Sequence, residues 1–208
     1  MKKKKLLSSL QRQGNRYCMK EKIISKQLVF DDFFKVEKWY YQYEKENGEL
    51  TEPVDRMVLK RQDAASAILY NTDRNVVLLS KQFRHCTYDK GPGWMIEAIA
   101  GRLDEGEKPE ETIRREALEE IGYRLHDLEK IAMVYSSPGY STERMHIYYA
   151  AVKDADKIEK GGGLIEEGEY IEPYEMTIEE LNDAIKKHEL IDSKTVIAAN
   201  YLLKKHGY

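Results

Sequence analysis

Cysteine is scarce in this chain, with only Cys18 and Cys86 among 208 residues. Two cysteines so far apart, neither with a C-x-x-C partner, exclude a disulfide-stabilised scaffold and a thiolate zinc site. The five histidines show no H-x-x-x-H spacing, so we expect none of them to be a metal ligand. This cysteine usage favours a cytoplasmic protein.

Long apolar runs are also missing. The longest nearly apolar run, residues 64–70, is far shorter than the ~20 residues that a membrane-spanning helix needs. The basic run at residues 2–5 precedes Leu-Leu-Ser-Ser-Leu, whereas a secretory signal needs an apolar stretch of roughly 7 to 15 residues. We therefore expect no membrane span, no secretory signal and no membrane partner.

Neither sign of charge dominates: Lys and Arg number 34, Asp and Glu 37, and 41% of residues are hydrophobic. These values are typical of a soluble globular chain with one domain and a small appendage. The first 26 residues are the exception, with nine basic residues and Glu21 as the one acid. A basic tail could bind nucleic acid, but no aromatic platform is interleaved with it. We expect residues 1–24 to be a disordered tail with no nucleic-acid partner.

The Asn47-Gly48 pair predicts a β-hairpin, because both residues of a tight hairpin turn must accept positive φ. Strand-like runs flank this turn between residues 34 and 61. A lone hairpin cannot cover the large side chains of its first strand, which are Val36, Trp39, Tyr40, Tyr41 and Tyr43. We therefore predict a dimerisation subdomain at residues 25–62, a main domain at residues 63–208, and a homodimer.

The main domain shows the pattern of a mixed β-sheet with inserted helices, an α/β fold. Short apolar runs predict strands at residues 64–70, 76–83, 94–100, 128–135, 145–152 and 170–176. Helices are predicted at residues 109–121, from the capping box at Thr177 to about residue 187, and in a last segment ending near Gly207.

The helix at residues 109–121 carries an unusual cluster of acids. Pro109 suits its first position, and Gly122 suits a left-handed stop. Glu116, Glu119 and Glu120 are three and four residues apart, so they share one face, where like charges cost ~0.2 to 0.5 kcal/mol per pair. A solvated acidic face would explain an isolated E-x-x-E-E pattern. Alternatively, a bound cation offsets the repulsion.

The surrounding pattern is longer than a chance acidic run. Gly101, Glu107, Arg115-Glu116, Glu119-Glu120 and Gly122-Tyr123 match the Nudix box, G-x5-E-x7-R-E-U-x-E-E-x-G-U, where U is a bulky aliphatic residue. Ala117 and Tyr123 depart mildly from it, since Leu, Ile or Val is usual at their positions. On this motif the segment at residues 63–208 resembles a Nudix hydrolase domain.

The resemblance implies an α/β/α sandwich that hydrolyses a nucleoside diphosphate linked to another group, with two or three Mg²⁺ ions, or Mn²⁺ as a substitute. Carboxylates suit these hard cations. By resemblance the ligands are Glu116, Glu120, Glu119 and the backbone carbonyl of Ala100. Gly101, Glu107, Arg115 and Gly122 are the structural part of the box, with Glu107 and Arg115 expected to form an ion pair.

The resemblance extends to the branch of ADP-ribose and nucleotide-sugar pyrophosphatases. The signs are Lys81-Gln82-Phe83-Arg84, Glu97-Ala98-Ile99-Ala100-Gly101 and Ser137-Pro138-Gly139. The branch implies that Arg84 contacts substrate phosphates, with Glu97, Ser137 and Gly139 also at the substrate. A surface charge at Arg84 and an ordinary turn at Ser137 are the alternatives.

A second acidic cluster follows three glycines at residues 161–163, which could let the segment swing over the site. Related enzymes carry a loop glutamate as general base and another near a third metal. Alignment places these roles on Glu167 and Glu169, with Glu116 or Glu119 as the next candidates for the base. A disordered acidic loop is the alternative.

The triple glycine and residues 192–202 look most like the subgroup that cleaves GDP-mannose. The resemblance thus implies hydrolysis of a nucleoside diphosphate sugar to a nucleoside monophosphate and a sugar phosphate. ADP-ribose, giving AMP and ribose 5-phosphate, is the alternative substrate. A non-catalytic Nudix-like ligand sensor is an alternative of another class, but such modules usually lose box carboxylates that this chain keeps.

Overall fold

The computed structural model describes residues 20–164, 166 and 168–208, which form two compact units that meet in sequence between Lys60 and Arg61. Most of the predicted tail at residues 1–24 lies outside the described residues. The described part begins just before a strand that starts at Glu21.

The first unit is a three-stranded antiparallel sheet in chain order: β1 (Glu21–Asp31), β2 (Lys35–Tyr43) and β3 (Val54–Lys60). Strands β2 and β3 are the predicted hairpin, which is confirmed. Strand β1 was not predicted. All of its residues are exposed, so no alternation of buried and exposed side chains marks it.

The second unit is built on a seven-stranded mixed sheet. Its strands are β4 (Ala64–Asn71), β5 (Val76–Phe83), β6 (Trp94–Glu97), β7 (Ile99–Arg102), β8 (Glu129–Tyr135), β9 (Arg144–Val152) and β10 (Ile171–Thr177). The order is β10-β5-β4-β9-β8, with β6 paired to β5 and β7 to β4. Strands β4 and β9 are parallel, and the other pairs are antiparallel.

Helices cover both faces of this sheet, as the predicted α/β/α sandwich requires. Helix α1 (Pro109–Ile121) packs on one face through Ile113, Ala117 and Ile121, which belong to one apolar cluster. Helices α2 (Ile178–Lys186) and α3 (Ser193–Lys205) pack on the other face in a second cluster. Each of these three helices in the described residues is too short or too polar to cross a membrane.

Helix α1 has the boundaries that the sequence predicts. It begins at Pro109, and Gly122 ends it in the left-handed conformation with φ of 81°. Strand β4 is buried along its whole length, and its partner β7 carries Ala100 and Gly101. Pairing with buried β4 therefore fixes the position of β7, the strand that faces the acidic side of α1.

Candidate active site

The first glycine of the box makes room for an acid of α1. A Cβ atom at Gly101 would lie 1.7 Å from Oε1 of Glu116. Only a residue without a side chain allows this carboxylate to lie so close to strand β7. The Glu116 side chain is 13% exposed as a result.

Glu120 lies deeper than Glu116, with 5% of its surface exposed. Its Oε1 accepts a hydrogen bond from the amide of Ala100 at 3.2 Å. Its Oε2 is buried without any hydrogen-bond partner. Burial raises the pKa of Glu120 to about 8, against the opposing hydrogen bond from Ala100. A buried carboxylate oxygen without a partner costs free energy unless a cation or proton satisfies it.

Arg115 holds the other acids of the box together. Its Nη1 lies 2.8 Å from Oε1 of Glu116 and 2.9 Å from Oε2 of Glu119. Its Nε lies 3.4 Å from Oε1 of Glu107, which is the ion pair the sequence predicts between loop and helix. Burial raises the pKa of Glu116 to about 7; the charges of Glu119 and Glu169 add to the rise, and Arg115 opposes it.

A cleft of about 470 Å³ opens in the second unit, on the side of the sheet where α3 begins. Its walls come from β6, β8, β9 and the segment just before α3. The lining includes Arg84, Glu97, Ser136, Glu143, Asp192 and Lys194. Two of the predicted substrate residues, Arg84 and Glu97, therefore share one concave surface.

Arg84 and Glu97 form an ion pair in this cleft, with Nη2 of Arg84 2.8 Å from Oε2 of Glu97. Lys194 approaches the same Glu97 oxygen at 3.0 Å and also Oδ2 of Asp192 at 3.0 Å. Burial opposes the ionisation of Glu97, but Arg84 and Lys194 hold the pKa of its carboxyl below the ordinary value. The side chain of Arg84 stays 43% exposed, so its guanidinium can also bind an anion.

Lys194 is a cleft residue that was not predicted to be part of the site, although its segment at residues 192–202 resembles the GDP-mannose subgroup. It is 97 residues from Glu97, so no local spacing signals the pair. Its α3 segment is fixed by Thr195, whose hydroxyl accepts a hydrogen bond from the amide of Ala98 at 2.7 Å. Lys194 is therefore held at the cleft by a hydrogen bond between the link joining β6 to β7 and the start of α3.

Ser137 and Gly139 lie in a turn beside the cleft. The carbonyl oxygen of Ser137 accepts hydrogen bonds from the amides of Tyr140 and Ser141 at 3.2 and 2.9 Å. Gly139 is exposed, with open space where a Cβ would be. The cleft lining includes their neighbour Ser136 rather than either of them. Their substrate role stays a prediction.

The acidic loop is described in part. Glu167, the predicted base, lies outside the described residues. Glu169 is half-buried, and its charge acts on Glu116, so it lies on the side of the box carboxylates. Its amide donates to the carbonyl oxygen of Leu164 at 3.2 Å.

The carboxylate oxygens of the box residues are the kind of ligand that a hard divalent cation prefers. Glu120 has a buried oxygen without a partner, and Glu116 and Glu120 are both poorly solvated. Within the described part of the chain no three acidic, histidine or cysteine side chains form a complete metal-binding group. In this structure the guanidinium of Arg115 pairs with two of the box acids, Glu116 and Glu119.

Comparison with known proteins agrees with this geometry. The sequence matches the NUDIX domain over residues 60–198. The chain belongs to the Nudix family. That match contains the whole box and the cleft residues Arg84, Glu97 and Lys194.

Relatives in this family span nearly the whole chain. GDP-mannose pyrophosphatases of Salmonella paratyphi B and Escherichia coli K12 are each 37% identical to it over 186 residues, 88% of this chain and 95% of theirs. That of Cronobacter sakazakii is 36% identical over 182 residues, with 86% and 93% covered. The crystal structure of an ADP compounds hydrolase shares the fold, with a TM-score of 0.69 and 19% identity over 93% of this chain.

Proposed function

We propose that this Nudix enzyme hydrolyses the pyrophosphate bond of a nucleoside diphosphate sugar of the GDP-mannose type. The products would be a nucleoside monophosphate and a sugar phosphate. The observation that carries the proposal is the pair of half-buried Glu116 and buried Glu120, whose carboxylates lie at β7 with one oxygen of Glu120 left without a partner. The names of the 36–37% identical relatives support the substrate class.

Glu116, Glu120 and Glu119, with the backbone of Ala100 and with Glu169, would hold the two or three Mg²⁺ ions proposed here. When bound, such cations neutralise the phosphates and lower the pKa of a water molecule. Mn²⁺ would be an adequate substitute because it also prefers oxygen ligands. Arg115 would give up its contacts with Glu116 and Glu119 and keep its contact with Glu107.

The cleft residues would bind and orient the substrate. Arg84 presents an exposed guanidinium that is already fixed in direction by Glu97, which suits bidentate contact with a phosphate. Because Lys194 keeps Glu97 ionised and in place, Arg84 loses little conformational freedom on binding. We assign proton abstraction from the attacking water to Glu167, with Glu119 or Glu116 as the alternative bases.

We also propose that the enzyme is a cytoplasmic homodimer. The first unit exposes a large set of apolar side chains: Ile23, Ile24, Leu28, Val29, Phe30, Phe33, Tyr43, Leu50 and Met57. An exposed apolar set of this size is typical of a protein that buries part of it in an interface. The exposed free thiol of Cys86 is compatible with a reducing compartment.

The experiment is a substrate panel with Mg²⁺ in which a phosphatase converts released phosphomonoesters to inorganic phosphate. We expect GDP-mannose to give the highest kcat/KM and ADP-ribose to be the next candidate. Nucleoside triphosphates are followed by chromatography without the phosphatase, which attacks them directly; cleavage of these and of no nucleotide sugar would contradict the proposal. A purified Glu120→Gln protein serves as the blank for contaminating enzymes.

A further inference from the structure

The three glycines at residues 161–163 lie against the carboxyl end of α1, the helix that carries the box acids. The amide of Gly162 donates to the carbonyl oxygen of Glu120 at 2.8 Å, and the amide of Gly163 to that of Glu119 at 3.0 Å. The last four carbonyl groups of a helix have no partner inside it. The glycine run therefore satisfies the helix end at two residues whose side chains we assign to the metal.

Further backbone hydrogen bonds connect the residues before the glycine run to Gly122 and the glycine run itself to β10. Gly122, which follows the helix, accepts hydrogen bonds from the amides of Ile158 and Glu159 at 2.9 and 3.2 Å. In the other direction, the carbonyl oxygen of Gly162 accepts a hydrogen bond from the amide of Ile171, the first residue of β10, at 3.1 Å. The glycine run is thus bonded to α1 on one side and to the sheet on the other.

Glycine is required here because two backbone segments approach closely. A Cβ at Gly161 would lie 2.7 Å from the carbonyl oxygen of Glu120 and 2.7 Å from Cα of Ile121. A Cβ at Gly122 would lie 2.0 Å from the carbonyl oxygen of Glu159. These are backbone atoms, so no change of rotamer could relieve the clash. Gly161 also has φ of +71°, in the left-handed region that favours glycine.

We propose that Gly161, Gly162 and Gly163 are positioning residues that brace the carboxyl end of α1 and so hold Glu119 and Glu120 at the spacing that binds a divalent cation. Repulsion among the box acids works against that spacing. This proposal differs from the swinging motion expected from the sequence. A hinge at these glycines would have to break the hydrogen bonds that Gly162 and Gly163 donate to α1. The inference rests on the proposed function only in taking the box as a metal site.

The test is Mn²⁺ binding to the full chain without substrate, measured by calorimetry for Gly161→Ala and Gly207→Ala. Both glycines have positive φ, +71° and +85°, but nothing lies within 4 Å of a Cβ at Gly207. The two variants therefore share the backbone strain and differ in the clash with α1. We expect Gly161→Ala to bind Mn²⁺ ~10- to 100-fold more weakly, the usual cost of disturbing residues that orient metal ligands, and Gly207→Ala to bind as wild type.

Amide hydrogen exchange on the unmodified chain tests the brace without a variant. It therefore tests the proposal even if Gly161→Ala does not fold. We expect the amides of Gly162 and Gly163 to exchange as slowly as those in the middle of α1. Rapid exchange at both glycines, or unchanged Mn²⁺ binding by folded Gly161→Ala, would overturn the proposal. Neither measurement uses a nucleotide, so a wrong substrate assignment would leave both results unaffected.

Discussion

A Cβ atom on Gly101 would lie 1.7 Å from Oε1 of Glu116. The obstructing atom is the end of a flexible side chain, so an added methyl group would move the carboxylate rather than the backbone. The first position of the box and its central acid therefore form one unit. The glycine is required by the location of the carboxylate, not by a turn.

Replacing Gly101 by Ala should thus displace Glu116 while the fold persists. We expect the Mg²⁺ concentration for half-maximal activity to rise ~10- to 100-fold, because a ligand has lost its position. Gly106→Ala is a stringent control, since Gly106 precedes the same helix and its φ of +82° adds backbone strain, but nothing lies within 4 Å of its Cβ position. An unchanged Mg²⁺ requirement in folded Gly101→Ala would contradict this reading.

Replacing Glu120 by Gln should abolish most turnover. The amide loses a metal ligand, and the expected loss is at least ~10³-fold in kcat, roughly 4 kcal/mol. The same change at exposed Glu105 should leave kcat unaltered. Wild-type kcat for Glu120→Gln at saturating Mg²⁺ would rule out this metal assignment.

The metal-free protein should lose stability as the pH rises. The pKa of Glu120 is about 8 in the folded chain, above its ordinary 4.5, so the folded state binds this proton more tightly than the unfolded state. This stabilisation is complete below pH 4.5 and is lost as the pH rises through about 8. We expect Tm in a chelator to fall over this range and to fall less in Glu120→Gln. Equal slopes for both proteins would be evidence against a buried, protonated Glu120.

Helix α1 and its boundaries could be predicted because the information is local. Pro109 and Gly122 mark its ends, and the box acids follow its period. The site contacts that could not be predicted connect distant segments. Lys194 meets Glu97 across 97 residues, and the glycine run at residues 161–163 meets the end of α1 through backbone atoms that leave no side-chain pattern.

Strand β1 was missed for a different reason. A strand is predicted from alternating apolar and polar residues, but the apolar residues of β1 are adjacent, as in Ile23-Ile24 and Leu28-Val29-Phe30. Its basic residues also continue the charge of the preceding tail. Every residue of β1 is also exposed in the single chain, so burial does not mark the strand either.

Replacing Glu167 by Gln should lower kcat by ~10² to 10⁴-fold with little change in KM, as expected for a general base. Glu166→Gln and Glu169→Gln, measured in parallel, locate the base within the loop. If one of these shows that phenotype and Glu167→Gln does not, the assignment moves to that residue. If none does, Glu116 or Glu119 is the base.

Light scattering should give a molar mass of twice the 24.3 kDa of one chain. Phe30 on β1 is 53% exposed, and Phe30→Asp should weaken a dimer that buries this strand. Met133→Asp, at a position 45% exposed in the second unit, is the matched control. A mass of about 24 kDa for the unmodified chain at micromolar concentration would exclude the homodimer.

The proposed reaction cleaves the bond between the two phosphates of a nucleotide sugar. Phosphorus NMR of GDP-mannose with enzyme and Mg²⁺ follows this bond directly. We expect the two diphosphate resonances to disappear and two phosphomonoester resonances, those of GMP and mannose 1-phosphate, to grow in equal amounts. Release of GDP and free mannose, or an intact diphosphate after prolonged incubation with active enzyme, would contradict the account.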